Sequence, residues 1–142
     1  MIVLDTTVLV YAKGSDHPLR DPCRELIGAI AEGRLEATTA AEAIQEFVHV
    51  RARRRTRPDA VALGRDYAVL LAPLLPVTLE ALGQGLDIYE RVEGMGAFDA
   101  VLAAAAKAAG AEALISADTG FAELASPRHV IPDTPGIAAL LS

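Results

Sequence analysis

The chain has no tryptophan, and its 142 residues include only three Phe and three Tyr. With 52% of residues hydrophobic, the core must be built from Ala, Leu, Val and Ile, so fine packing without an aromatic centre is expected. Cys23 is the only cysteine, which excludes a disulfide framework and a cysteine-based metal site and agrees with a reducing compartment. Long apolar runs are missing too. Ala100 to Ala106 is stopped by Lys107, far short of the roughly 18 residues a membrane span needs. Ala68 to Val77 is broken by Pro73 and Pro76. The start, Met1-Ile2-Val3-Leu4-Asp5, has no basic leader before its first acid, so no secretory signal is expected and the chain reads as cytoplasmic. With no linker, repeat or low-complexity tract, this length predicts a single domain over residues 1–142.

Positive charge is scarce overall and concentrated in one place. Thirteen Lys and Arg against nineteen Asp and Glu give a net charge of −6, which by itself predicts no affinity for nucleic acid. Yet Arg51, Arg53, Arg54, Arg55 and Arg57 put five cations into seven positions, a strongly basic patch on an acidic chain. A solvated helix end, favoured by the dipole, needs fewer. Arginine clusters of this kind hold phosphates, or an acidic segment of a partner protein.

Hydrophobic periodicity alternates between strand-like and helical segments. Ile2-Val3-Leu4 reads as a buried strand ending at Asp5. Asp21 and Pro22 start a helix to about Ile30, and Leu35 to Thr38 forms a second strand. Apolar positions from Ala40 to about Arg55 recur at helical spacing. Pro58 separates that helix from one over Asp59 to Leu71. Leu75 to Thr78 is expected as a short strand, Glu80 to Glu93 as a helix, and Ala97 to Ala109 as an Ala-rich helix stopped by Gly110. Ala113 to Ser116 and Arg128 to Ile131 are the last strands. Strands separated by helices imply a mostly parallel sheet of four to five strands between helical layers, with ligands bound beyond the carboxyl ends of the strands.

Asp5 and Asp118 fall at two such ends. Like charges in one crevice raise each other's pKa unless a cation is present. Asp99 lies in the first turns of the Ala-rich helix. Glu46 stands one turn after Glu42, an arrangement that disfavours a helix by roughly 0.2 to 0.5 kcal/mol and that a nearby cation relieves. Taken singly, each acid has a local explanation. Asp5 caps a turn, Asp99 faces a helix dipole, Asp118 belongs to the Asp-Thr-Gly turn at 118 to 120, and Glu46 is a solvated helix acid. Their co-occurrence at places an α/β fold can direct to one crevice points instead to a site for hard cations, which prefer oxygen ligands. The scattered histidines His17, His49 and His129 read as surface or turn residues, and no Ser-His or Cys-His nucleophile is visible.

The order of a hydrophobic strand with Asp5-Thr6-Thr7, then Ile44-Gln45-Glu46-Phe47-Val48, then Phe98-Asp99-Ala100-Val101-Leu102, then Leu114-Ile115-Ser116-Ala117-Asp118-Thr119-Gly120 resembles the PIN-domain family, in its VapC branch. The resemblance covers nearly the whole chain. It implies a PIN-like three-layer α/β/α sandwich, with Asp5, Glu46, Asp99 and Asp118 as catalytic, metal-holding acids. Thr7 would support the first aspartate, with Ser116 as a second supporting hydroxyl. It also implies Mg²⁺- or Mn²⁺-dependent cleavage of RNA, a homodimer, and a cognate antitoxin. Glu42 remains an alternative to Glu46, and the arginine run is assigned to RNA, antitoxin or the second subunit. A haloacid-dehalogenase-like phosphotransferase would need a second Asp where Thr7 stands. The serious rival is a catalytically silent PIN-fold interaction or RNA-binding module, which divalent-ion binding would distinguish.

Overall fold

The structure, a computed structural model, describes residues 1–142. The two central strands obey the period of two that a sheet imposes. In β1 (Ile2–Leu4), Ile2 and Leu4 join one apolar cluster and Val3 the other. In β3 (Ala113–Ile115), Ala113 and Ile115 point to the first cluster and Leu114 to the second. With β2 (Ala37–Thr38) and β4 (Arg128–Val130) they form a wholly parallel sheet in the order β2-β1-β3-β4. Register pairs Val3 with Thr38 on one side and with Leu114 on the other. Every central position is buried on both faces, which is why these strands are continuously apolar.

Seven helices cover the two faces. On one side lie α1 (Thr6–Ala12), α2 (Arg20–Ala31), α3 (Ala41–Arg54), α4 (Arg57–Leu70) and α7 (Thr134–Leu141). They bury Val8 and Leu9, Leu26, Phe47, Tyr67 and Ile137 against the first cluster. The other side holds α5 (Leu79–Arg91) and the Ala-rich α6 (Ala97–Ala108). These two pack closely because Gly85 has no side chain: a Cβ there would stand 2.5 Å from Val101 Cα. The expected three-layer architecture is present. No helix is long and apolar enough to cross a membrane.

Several expectations need correction. Leu75 to Thr78 is no strand; it contributes one parallel bridge, Leu75 to Ala40, because Pro73 and Pro76 deprive it of donors for a ladder. The sheet therefore has four strands. Residues 6–12 and 134–141, unassigned from sequence, are α1 and α7. The arginine run does not lie on one helix. α3 ends at Arg54, and Arg57 opens α4, whose first turn is capped by Thr56 accepting from the Asp59 N–H. His129 is a strand residue whose Nε2 is 2.9 Å from the Ser116 carbonyl oxygen.

Candidate active site

Asp5 leaves β1 and occupies the N-cap position of α1, yet its side chain makes no capping bond. The carboxylate is instead buried, 3% exposed, and held by hydroxyls. Ser116 Oγ donates to Asp5 Oδ2 at 2.7 Å and Thr7 Oγ1 donates to the same oxygen at 3.0 Å. Both hydroxyls are aimed by backbone donors behind them: Asp118 N–H reaches Ser116 Oγ at 2.9 Å, and Ala117 N–H reaches Thr7 Oγ1 at 3.0 Å. Each N–H occupies a lone pair and leaves the hydroxyl proton for the carboxylate. Oδ2 is thus fixed by two donors, while no protein donor reaches Oδ1.

Around Asp5 the chain forms a crevice of about 300 Å³ whose walls include Glu46, Asp99 and Asp118. Asp99 comes from the first turn of α6. Asp118 follows β3 and also performs the local role its turn suggests, accepting from the Gly120 N–H at 2.9 Å. Gly120 is required there, since a Cβ would meet the Gly94 carbonyl oxygen at 2.7 Å. Glu46 rises from α3 and is reached by Thr6, whose Oγ1 lies 3.4 Å from Glu46 Oε2. Glu42 is not in the crevice. It sits one turn back, on the rim of a separate apolar groove.

The four acids feel one another. Asp99 is pushed up to about 7, first by burial, then by the charge of Asp5, by a hydrogen bond with Asp118, and by the charges of Asp118 and Glu46. Glu46 is also raised, by burial and then by the Asp5 charge, against the lowering effects of the Thr6 hydrogen bond and nearby His49. Such mutual repulsion is the electrostatic signature of a site that gains from a cation. No three of these groups stand close enough to form a preassembled cage.

The basic run divides. Arg51 is largely engaged: its Nε lies 2.6 Å from Asp59 Oδ2 and its other arm donates to the Lys13 carbonyl at 2.7 Å. This holds the Asp59 carboxyl below the usual range and ties α3 to α4 and to the end of α1. Arg54 lines the crevice, Arg55 a small adjoining cleft, and Arg57 a third depression beside His49. Arg53 is exposed on α3 and lines none of these. Arg54, singled out in the basic run, does line the crevice, whereas Thr6 and Tyr11 are polar crevice residues with no separate signal in the sequence. Their phase depends on α1, which was not read as a helix.

The family model for the PIN domain matches residues 2–127 of the chain. The chain is 59% identical to the protein named "Ribonuclease VapC7" of Mycobacterium tuberculosis (strain ATCC 25618 / H37Rv), over 142 residues that take in 99% of this chain and 98% of that one. It is 35% identical over 102 residues to "Ribonuclease VapC23" of Mycobacterium tuberculosis (strain CDC 1551 / Oshkosh), covering 70% of this chain and 78% of the relative. All four crevice acids and their supporting hydroxyls lie inside the matched region, and the chain belongs to the PIN-domain family.

Proposed function

We propose that the chain is a divalent-metal-dependent endoribonuclease that acts as the toxin of a toxin-antitoxin pair. The observation that carries this reading is the convergence of Asp5, Glu46, Asp99 and Asp118 on one crevice, in a chain 59% identical to a protein named a ribonuclease. Asp5, through its free Oδ1, together with Asp99, Asp118 and Glu46, would hold Mg²⁺ or Mn²⁺. When bound, the cation supplies Lewis acidity that makes a water nucleophilic near neutral pH and offsets charge on the phosphate.

The protein's own residues do the rest. Ser116 and Thr7 fix the Asp5 carboxylate so that little reorganisation accompanies binding. Thr6 draws Glu46 towards the same crevice. Asp99 retains a proton near neutrality in the metal-free protein and must release it when a cation takes its oxygen, so cation affinity should weaken as pH falls below about 7. RNA as substrate, a cognate antitoxin, a homodimer and a single-domain chain belong to the same proposal.

Calorimetric titration with Mn²⁺ and Mg²⁺, paired with cleavage of a defined RNA, tests it. The expected result is saturable cation binding, cleavage lost in chelator and cleavage restored by either ion. Absence of cation binding by a folded protein would favour the silent interaction module. Cleavage persisting in excess chelator would remove the metal from the mechanism.

A further inference from the structure

Part of the crevice wall is not acidic. Val10 and Tyr11 near the end of α1, and Val50 and Arg54 near the end of α3, also line it. Glu46, Val50 and Arg54 fall at i, i+4 and i+8, one stripe of α3 that climbs about 12 Å. Helical side chains lean towards the helix N-terminus, so Arg54 leans towards Glu46. Unlike Arg51, Arg54 takes part in none of the chain's ion pairs, although acids surround the opening it borders. The adjoining small cleft shares Val10, Val50 and Arg54 with the crevice and adds Arg55 and Ser15. The opening therefore continues between the ends of α1 and α3, changing from acidic to basic.

Tyr11 is the only aromatic residue of the crevice wall. Compare Tyr67, which is buried and donates its hydroxyl to the Leu9 carbonyl at 2.9 Å. Tyr11 is half-buried and stacks on His17, with ring centroids 4.4 Å apart and planes inclined by 26°. The His17 ring is itself oriented, because Nδ1 accepts from the Leu19 N–H at 3.1 Å, and it is exposed. A fixed two-ring stack with solvent access, in a chain so poor in aromatics, is a platform on which an unpaired base can lie. A guanidinium without a carboxylate partner is its complement for the backbone phosphate.

We propose that the mouth of the crevice between the ends of α1 and α3 is a subsite for one unpaired nucleotide flanking the bond to be cut, its phosphate on Arg54 and its base on the Tyr11–His17 stack. The subsite rests on the ribonuclease reading and selects single-stranded RNA, since a base paired within a helix cannot reach the rings. It also lessens the repulsion between a polyanion and an acidic crevice on a chain of net charge −6.

The test is titration of a short, labelled single-stranded RNA in chelator at several salt concentrations, beside initial rates of cleavage with Mn²⁺. Arg54→Gln should weaken binding and flatten the logarithmic salt slope by about 0.7, the value of one single-strand phosphate contact. Tyr11→Leu and His17→Ala should weaken binding about tenfold with the slope unchanged, as loss of one stacked base does. Tyr11→Phe and His17→Phe should retain most of it. In all three weakened variants KM should rise more than kcat falls. Arg34→Gln, at the opposite end of the sheet, serves as the control. Cleavage and binding by Arg54→Gln and Tyr11→Leu equal to the control would overturn the subsite while leaving the ribonuclease reading intact. If the parent neither binds nor cleaves RNA, that reading itself fails and the subsite with it. Equal losses in Tyr11→Phe and Tyr11→Leu would also overturn the stacking role.

Discussion

Two openings of about the same volume, 300 Å³ each, share two helices and have opposite chemistry. α6 sends Asp99 into the crevice and its neighbours Phe98, Val101 and Leu102 into the groove. α3 sends Glu46 to the crevice and, one turn earlier, Glu42 to the groove rim. The groove is otherwise apolar, with Leu82 and Leu86 partly exposed. Volume therefore says nothing about chemistry here: on α6 a rotation of about 100° per residue decides it, and on α3, where Glu42 and Glu46 share a face, the one-turn rise along the helix does. The crevice is additionally fixed by hydroxyls behind its first acid, whereas the groove has no buried polar network.

The sharpest way to break this contrast is to remove a crevice acid. Asp5→Asn should lower RNA cleavage by more than about 100-fold, beyond the loss typical of an outer partner, while circular dichroism shows a folded protein. Ser116→Ala leaves all four carboxylates in place but frees Asp5 Oδ2 of its shorter bond. Cation affinity measured by calorimetry should fall roughly 10- to 100-fold, the usual effect of such a partner. An unchanged affinity would show that the hydroxyl contributes nothing to the site.

The Asp99 carboxyl is raised in the folded protein from 3.8 to about 7, so the folded state binds its proton more tightly than the unfolded state. That contribution is fully present below about pH 4 and is lost as pH rises through about 7. Metal-free protein should accordingly lose thermal stability between pH 5 and 8, and Asp99→Asn should flatten the profile. A shift of this size is worth on the order of 4 kcal/mol at full strength, and solvent screening at a half-buried position reduces it to roughly 1 to 2 kcal/mol. Thermal melts in chelator at a series of pH values would show it; added Mn²⁺ should reverse the trend. The smallest effects belong to the groove. Glu42→Gln and Leu86→Gln should change cation affinity less than about twofold, against a clear loss in Glu46→Gln, and a Glu42→Gln effect equal to that of Glu46→Gln would erase the distinction between the openings.

The strands and the long helices were legible because each carries a local signal, such as an apolar run, helical spacing or a glycine after the last turn, whereas the four acids were legible only as a set, from their co-occurrence and the order of their motifs. Glu46 rather than Glu42 was legible from the motif around it but not from charge. What was illegible depends on tertiary context. Thr6 to Ala12 is rich in β-branched residues and carries no cap bond, so propensity alone does not announce a helix. It becomes one because Val8, Leu9 and Ala12 are buried in the core. With α1 unread, the reach of Thr6 towards Glu46 and the place of Tyr11 in the crevice could not be foreseen. The arginine run had the opposite fault. It read as one patch, and Thr56 divides it between two helices while Asp59 withdraws Arg51 from it.

The hydroxyl of Ser116 reaches Asp5 across 111 positions of sequence, and β3 is the neighbour that separates β1 from β4. During synthesis, β1 therefore waits for its central partner until residues 113–115 have been made. Contacts this remote close slowly, after the local helices have formed. A nascent chain carries Asp5 and Glu46 early, but their crevice has no floor until residues 113–118 have emerged and inserted. The crevice should thus be completed late and abruptly, when β3 inserts between β1 and β4.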